Sequence, residues 1–206
     1  NRLSPLRALR EQPGQIRLYK IVTAHGQGTD NGGITYAAPV DVQAFLADQR
    51  NYFREVFGKK LPRVKLPSQR PGFSWGGIMA PFMGTQWLFD CVKERCGAWK
   101  YDAESLDTLV SHNDRDPVRN GAYPFFCRDR VEADEEHKNK SADQITLATI
   151  KGVTLAEYEN LFLWYHWKTG KFLDCSNWTL CTGSRYRDSF VPFGCGSGGK
   201  LHVHWN

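Results

Sequence analysis

The sequence predicts a single α+β domain, and three observations lead to this fold class. Several segments place apolar residues at helical spacing, whereas the last residues alternate apolar and polar side chains as a strand does. The segments between them are rich in Gly, Pro and aromatic residues and follow neither period. The length of 206 residues suits one core of ordinary size better than two domains.

The N-terminal part predicts an arm, a strand and a turn. Residues 1–15 are expected to form a loosely held arm ahead of a single domain that spans 16–206. Residues 15–24 (QIRLYKIVTA) are the first strand candidate. Residues 26–33 (GQGTDNGG) predict a hairpin or a loop, because they lack the strand-to-helix setting and the spacing of a phosphate loop.

A helix is predicted to begin near Pro39, with Asp41 close to its N-terminal cap, and to end at Gly58. A basic, proline-containing connector (59–69) and a Gly-rich aromatic segment (71–84) follow, and a second helix is predicted over 86–96. One apolar face of the first helix is expected to pack on the core, and it is formed by Val42, Phe45, Leu46, Phe53, Val56 and Phe57.

The middle of the chain, 101–131, is predicted to be mostly irregular. It holds four residues that could ligate a metal or serve a hydrolytic site. We favour a tight polar loop, because the segment has no second His at helical spacing and no Gly where a calcium loop requires one. Residues 131–143 are predicted to form a solvated, charged surface loop. The four polar residues are Asp107, His112, Asp114 and Asp116.

The clearest helix signal follows Thr154, which forms a capping-box pattern with Glu157. This helix is predicted to end at Gly170, and its wide apolar surface indicates that other structure covers it on more than one side. His166 is interpreted as a partly buried histidine with a hydrogen-bond partner. The apolar stripe comprises Leu155, Tyr158, Leu161, Phe162 and Tyr165.

Composition narrows the class of protein. The net charge is +5, but the basic residues are scattered, so no nucleic-acid partner is predicted. No segment is long and apolar enough for a membrane span, and no signal peptide is visible, so a soluble protein is expected, by default in the cytoplasm. Six cysteines without a CxxC pair are interpreted as free thiols in a reducing compartment.

The C-terminal segment changes character twice. Residues 186–199 follow no hydrophobic period and predict a surface for contact, to which Tyr186, Phe190 and Phe193 would contribute area while adding little to stability. After it, apolar and polar residues alternate, which predicts a strand with one buried face and one polar face rich in His. The alternating residues are Lys200, Leu201, His202, Val203, His204 and Trp205.

Three motifs in this region resemble a known family. They are LAEYENLFLWYHWKTGKFLD (155–174), NWTLCTGSRY (177–186) and GKLHVHW (199–205). Together they resemble the variable proteins of diversity-generating retroelements, which have a C-type-lectin-like fold. The resemblance is good over 158–206 and covers the first half only in general organisation.

The resemblance implies a ligand-binding protein with a hypervariable surface at about 179–206, diversified by mutagenesis at adenines. It implies no cofactor, an unidentified macromolecular partner, foremost a protein, and no particular oligomeric state. The implied scaffold residues are Trp178, Gly183, Arg185, Val191, Pro192, Leu201, Val203 and Trp205. The implied ligand-facing residues are Tyr186, Arg187, Ser189, Phe190, Phe193, Gly194, Cys195, Gly196, Ser197, Gly199, His202 and His204.

Two enzymatic alternatives stay open. His202 and His204 share one strand face, and with Cys195 they are a feasible zinc or copper set. The formylglycine-generating enzymes of the same broad fold use paired cysteines with copper, and Cys175 and Cys181 are the nearest pair, at a different spacing.

Overall fold

The computed structural model describes residues 18–19, 41–67, 70–187 and 189–205. The predicted N-terminal arm, the GQGTDNGG turn and most of the first strand candidate lie outside these residues. The described chain is an α+β domain with mixed sheets and several helices, which confirms the fold class in its general form.

The elements follow one another along the chain in mixed order. They are β1 (Leu18–Tyr19), α1 (Val42–Phe57), β2 (Trp75–Met79), α2 (Thr85–Cys96), β3 (Ala98–Lys100), α3 (Leu106–Leu109), β4 (Val110–Asn113), α4 (Pro117–Asn120), β5 (Tyr123–Cys127), a 3-10 turn (Glu135–His137), α5 (Ala142–Leu147), α6 (Leu155–Thr169), β6 (Thr179–Leu180), β7 (Ser184–Tyr186), β8 (Pro192–Ser197) and β9 (Lys200–Trp205).

The largest sheet has five strands in the order β1-β6-β8-β9-β3. Its two outer pairs, β1 with β6 and β3 with β9, are parallel, and the inner pairs are antiparallel. Two antiparallel ribbons, β2 with β5 and β4 with β7, accompany it. The C-terminal strands β6, β8 and β9 therefore lie at the centre of the main sheet, and β1 and β3 form its two edges.

Helix α1 has the predicted ends. The Asp41 side chain accepts hydrogen bonds from the backbone N–H groups of Gln43 and Ala44, at 2.9 and 3.1 Å, and thereby satisfies two donors of the first turn. Gly58 ends the helix in the left-handed conformation, with φ of 64°. The second predicted helix is confirmed as α2.

Helix α6 lies in the middle of the core. Both hydrogen bonds of the predicted capping box are present between Thr154 and Glu157, and Gly170 ends the helix with φ of 68°. Every residue from 155 to 165 is buried, so the helix is covered on all sides over its first three turns. His166 is half-buried, and its Nδ1 lies 3.3 Å from the carbonyl oxygen of Lys171. The prediction of a partly buried histidine with a hydrogen-bond partner is therefore confirmed.

The charged segment 131–143 is only partly the solvated loop that the sequence predicts. Asp134 is 1% exposed, and its carboxylate accepts a hydrogen bond of 3.0 Å from the buried guanidinium of Arg128. His137 is also buried, at the end of the 3-10 turn. The prediction is wrong for these two residues. Arg128 compensates the buried charge of Asp134, and burial lowers the pKa of His137, which favours its neutral form.

Among the described residues, no helix has the length and apolar character that a membrane crossing requires.

Candidate ligand-binding surface

Strands β8 and β9 form a hairpin whose two faces differ in burial. Gly198 and Gly199 connect the strands with φ of 58° and 74°, the left-handed values that a two-residue hairpin loop uses. Leu201 and Val203 point into the core and are 0% exposed, whereas Lys200, His202 and His204, which alternate with them, are half-buried. The alternation predicted for the last strand is therefore confirmed.

The core-facing side of β8 is built from glycine. Gly194 pairs with Val203 and Gly196 with Leu201, so both glycines face inward. A Cβ at Gly194 would lie 2.1 Å from the ring of Tyr158, and one at Gly196 would lie 2.4 Å from the carbonyl oxygen of Leu173. The expectation that these two glycines face a ligand is wrong, because the core approaches their backbone too closely for any side chain.

The opposite face carries a row of neighbouring rings, which we call the aromatic ladder: Trp178, Phe193, His204, His202 and Trp99. The ring of Phe193 stacks on Trp178 at 4.9 Å and on His204 at 5.2 Å, with interplanar angles of 14° and 12°. Trp99, on edge strand β3, tilts against His204 at 5.0 Å and His202 at 5.6 Å. Phe193 is 4% exposed and Trp99 39%, so the ladder meets solvent at the β3 edge.

Both histidines of the ladder are neutral near pH 7. Burial, followed by the neighbouring His202, lowers the pKa of His204 to about 4. Burial, followed by the positive charge of Lys200, lowers the pKa of His202. Within the described chain the buried Nδ1 of His204 has no hydrogen-bond partner. The ladder is thus an uncharged aromatic surface with a neutral imidazole pair near its exposed end.

The alternative zinc or copper set of His202, His204 and Cys195 is not found as a metal-binding group among the described residues. Cys195 faces the same side as His202, directly across the two strands, but the cysteine is buried and burial raises its pKa to about 12. Among the described residues, no group of three His, Cys, Asp or Glu side chains could hold a metal ion.

Cys175 and Cys181, the cysteine pair of the second enzymatic alternative, differ in solvent exposure. Cys175 is exposed, whereas Cys181 is buried and has a pKa well above its ordinary value because of that burial. All six cysteines are free. Cys175 and Cys181 therefore form no disulfide, and of the two only Cys175 is exposed.

The polar residues of segment 107–116 organise the local backbone. Asp107 accepts a hydrogen bond from the backbone N–H of Gln86 at 3.1 Å, in the first turn of α2. Asp116 caps α4 through the N–H groups of Val118 and Arg119. His112 and Asp114 contact each other at 3.2 Å. Asp107 lies on α3 and His112 on β4, so the prediction of a tight polar loop is wrong for these two residues. The prediction that 101–131 is mostly irregular is also wrong, because α3, β4, α4 and β5 lie within it.

A tight turn precedes β8 and exposes three of the predicted residues. The backbone N–H of Tyr186 donates to the carbonyl oxygen of Phe190 at 2.8 Å, and that of Ser189 donates back to Tyr186 at 2.9 Å. Ser189 has a left-handed φ of 63°. Arg187 projects outward and pairs with Glu104. Phe190 is 37% exposed, whereas the Tyr186 ring is 5% exposed.

The twelve predicted ligand-facing residues thus fall into three groups. The expectation of exposure is wrong for the buried group, whose side chains or backbones contact the core. Arg187, Ser189, Phe190, Ser197 and Gly199 are exposed, His202 and His204 are half-buried, and Tyr186, Phe193, Gly194, Cys195 and Gly196 are buried.

The eight implied scaffold residues are all at least half-buried: Trp178, Gly183, Arg185, Val191, Pro192, Leu201, Val203 and Trp205.

Sequence reasoning did not identify Trp99. Its strand has only three residues, too few for an alternating pattern, and it reaches the surface by parallel pairing with β9. The available signal was Gly97, which ends α2 with φ of 81° and directs the following residues into the sheet.

Comparisons of this chain with models of protein families, with curated proteins and with solved structures find no match.

Proposed function

We propose that this chain is a ligand-binding protein whose C-terminal surface is diversified in sequence, as the resemblance to retroelement variable proteins implies. The proposal includes a C-type-lectin-like arrangement of the domain and a macromolecular ligand, foremost a protein. The surface consists of the turn residues Arg187, Ser189 and Phe190, the hairpin tip at 197–199 and the exposed end of the aromatic ladder.

The observation that carries the proposal is the difference in burial between the two faces of β9. Leu201 and Val203 are fully buried, while His202 and His204 lie on the other face. Substitutions on the outer face therefore leave the inner contacts intact, and core substitutions of Leu or Val commonly cost about 1–5 kcal/mol. A surface that varies must lie on such a face, because a typical domain has only about 5–15 kcal/mol of stability in total.

The chemistry of the exposed residues suits contact with a protein. Phe190 and Trp99 offer aromatic area with few rotatable bonds, and Arg187 offers a guanidinium for bidentate hydrogen bonds. Ser189 and Ser197 offer hydroxyl groups on short side chains. The inner β strands hold these groups on a fixed framework, which lowers the entropy that binding must overcome.

Sequencing the 3′ part of this gene across isolates of its source tests the proposal. We expect substitutions at adenines in the codons of the exposed and half-buried ligand-facing residues. We expect no excess of substitutions at matched, buried positions on the same strands. Gly194, Gly196, Leu201 and Val203 serve as those matched positions. A C-terminal segment as uniform as the rest of the gene contradicts the proposal, and so does variation spread equally over both faces of β9.

A further inference from the structure

A second surface, formed by elements other than the C-terminal strands, carries concentrated positive charge. A groove of about 890 Å³ lies between α1 and the segment that follows it, 58–64. Five of its lining residues are basic and none is acidic. We call it the basic groove.

The two banks of the groove present their cations in different ways. Leu46, Arg50 and Arg54 are spaced by four residues along α1 and therefore lie on one stripe of the helix. Two adjacent arginines on such a stripe repel each other. The other bank is the non-helical segment 59–64, which contributes Lys59, Lys60 and Arg63.

These cations are not neutralised by the rest of the described chain. Several exposed cations elsewhere have carboxylate partners, such as Lys168 with Asp48 at 2.9 Å. Within the described residues, no ion pair involves the cations of the groove apart from one. The exception is Arg54, which contacts Glu55 at 3.2 Å while its side chain stays 69% exposed. Arg50, Lys60 and Arg63 have no ion-pair partner among the described residues, and Lys59 has an aromatic contact instead, with its Nζ 5.0 Å from the centroid of the Phe82 ring.

The floor of the groove is aliphatic. Leu46, Leu61 and Val64 are half-buried there, and no aromatic side chain lines the groove. Single-stranded nucleic acids bind grooves in which bases stack on aromatic rings. An aliphatic floor between basic banks instead matches a peptide that alternates carboxylates with aliphatic side chains, because each kind of side chain finds its complement.

We propose that the basic groove docks an acidic peptide segment of a partner protein, with carboxylates toward the two banks and aliphatic side chains on the floor. The chain's own N-terminal residues have the wrong charge for this place, since 1–17 contains four arginines and a single glutamate. The groove supplies a docking contact separate from the diversified surface, so its occupant does not depend on which C-terminal sequence is displayed.

Fluorescence anisotropy with a labelled peptide of interspersed Glu, Asp and Leu tests the proposal on the full chain. The groove variant is Arg50→Gln/Lys60→Gln/Arg63→Gln. The matched control, Lys93→Gln/Lys151→Gln/Lys171→Gln, removes the same charge from exposed sites outside the groove. We expect the groove variant to weaken binding about tenfold, and the control about twofold or less, since each exposed ion pair contributes modestly.

Two further probes separate the contributions. A peptide with Ser in place of Leu should bind more weakly, because it leaves the aliphatic floor uncovered, and raising the salt concentration should weaken both peptides. Equal losses in the groove and control variants would overturn the proposal, because they indicate attraction by net charge alone. Absence of peptide binding, or tighter binding of a single-stranded oligonucleotide of equal charge, would overturn it as well.

Discussion

The ring of Tyr158 lies directly against the backbone of Gly194, so closely that a methyl group at residue 194 would be 2.1 Å from the ring Cε1. Tyr158 is in the first turn of α6 and is itself 0% exposed. The contact joins the central helix to the strand behind the proposed surface. It fixes the inner face of that strand at a position where no side chain can be added.

Gly194→Ala should therefore destabilise the protein. The added methyl must displace either a buried ring or β8 itself, and overpacking of this kind costs about 1–3 kcal/mol. Urea unfolding at neutral pH measures the loss. Gly198→Asn is the matched control, since its φ of 58° suits Asn at a hairpin turn and nothing lies within 4 Å of its Cβ position. Equal stability of Gly194→Ala and wild type would contradict the observed packing.

The three aromatic residues expected to contribute little to stability should behave differently from one another. Phe193→Ser removes a ring that is 4% exposed and stacked on two others, and we expect a loss of about 3–5 kcal/mol. Tyr186→Ser should also destabilise, because its ring packs on Trp205 at 5.1 Å. Phe190→Ser, at a 37% exposed position, should cost about 1 kcal/mol or less.

Thermal unfolding of the three single variants checks this order. A Phe190→Ser variant as unstable as Phe193→Ser would place the turn in the core. It would also remove Phe190 from the proposed binding surface.

The features that could be predicted from the sequence are those with local causes. Asp41 and Gly58 set the ends of α1, and the pair Thr154 and Glu157 sets the start of α6, because caps act on backbone groups a few residues away. The inner face of β9 followed from its alternation. For the same reason, the most accurate part of the site prediction is the strand that alternates most regularly.

The features that could not be predicted depend on distant partners. Phe193 is buried because Trp178 and His204 stack on it. Gly194 looks like a flexible surface residue until the position of α6 is known. Nothing in the local sequence specifies such partners, since strand pairing and helix docking bring them together only in the folded chain.

Glu159 gives the protein a specific pH dependence. It is 0% exposed on α6, and within the described chain neither carboxylate oxygen has a hydrogen-bond partner. Burial, followed by the negative charges of Asp107 and Asp90, raises its pKa well above the ordinary value of 4.5. The folded state therefore holds a proton that the unfolded state releases above that value.

The stability associated with Glu159 is accordingly fully present below about pH 4.5 and is lost as the pH rises toward the folded-state pKa. The slope is about 1.4 kcal/mol per pH unit. Glu159→Gln keeps the shape of the protonated acid without titrating, so its stability relative to wild type should increase with pH. Urea unfolding as a function of pH measures the difference. An exposed control, Glu94→Gln, should show no such trend, and a pH-independent difference for Glu159→Gln would contradict a buried acid.

The titration of His204 should make stability depend on pH in the opposite direction, at acidic pH. Its folded-state pKa of about 4 lies below the ordinary 6.5, because the ring is partly buried against Phe193 and beside His202. The folded state therefore favours the neutral ring. This contribution to stability is complete above about pH 6.5 and is lost as the pH falls through 4.

NMR titration should find the His204 ring signals changing near pH 4, with those of His202 changing at a pH below 6.5. His204→Phe keeps an aromatic ring in the ladder and removes the titration, so it should lose less stability than wild type on acidification. A midpoint near 6.5 for His204 would show that solvent reaches its ring freely and that the ladder is open along its length.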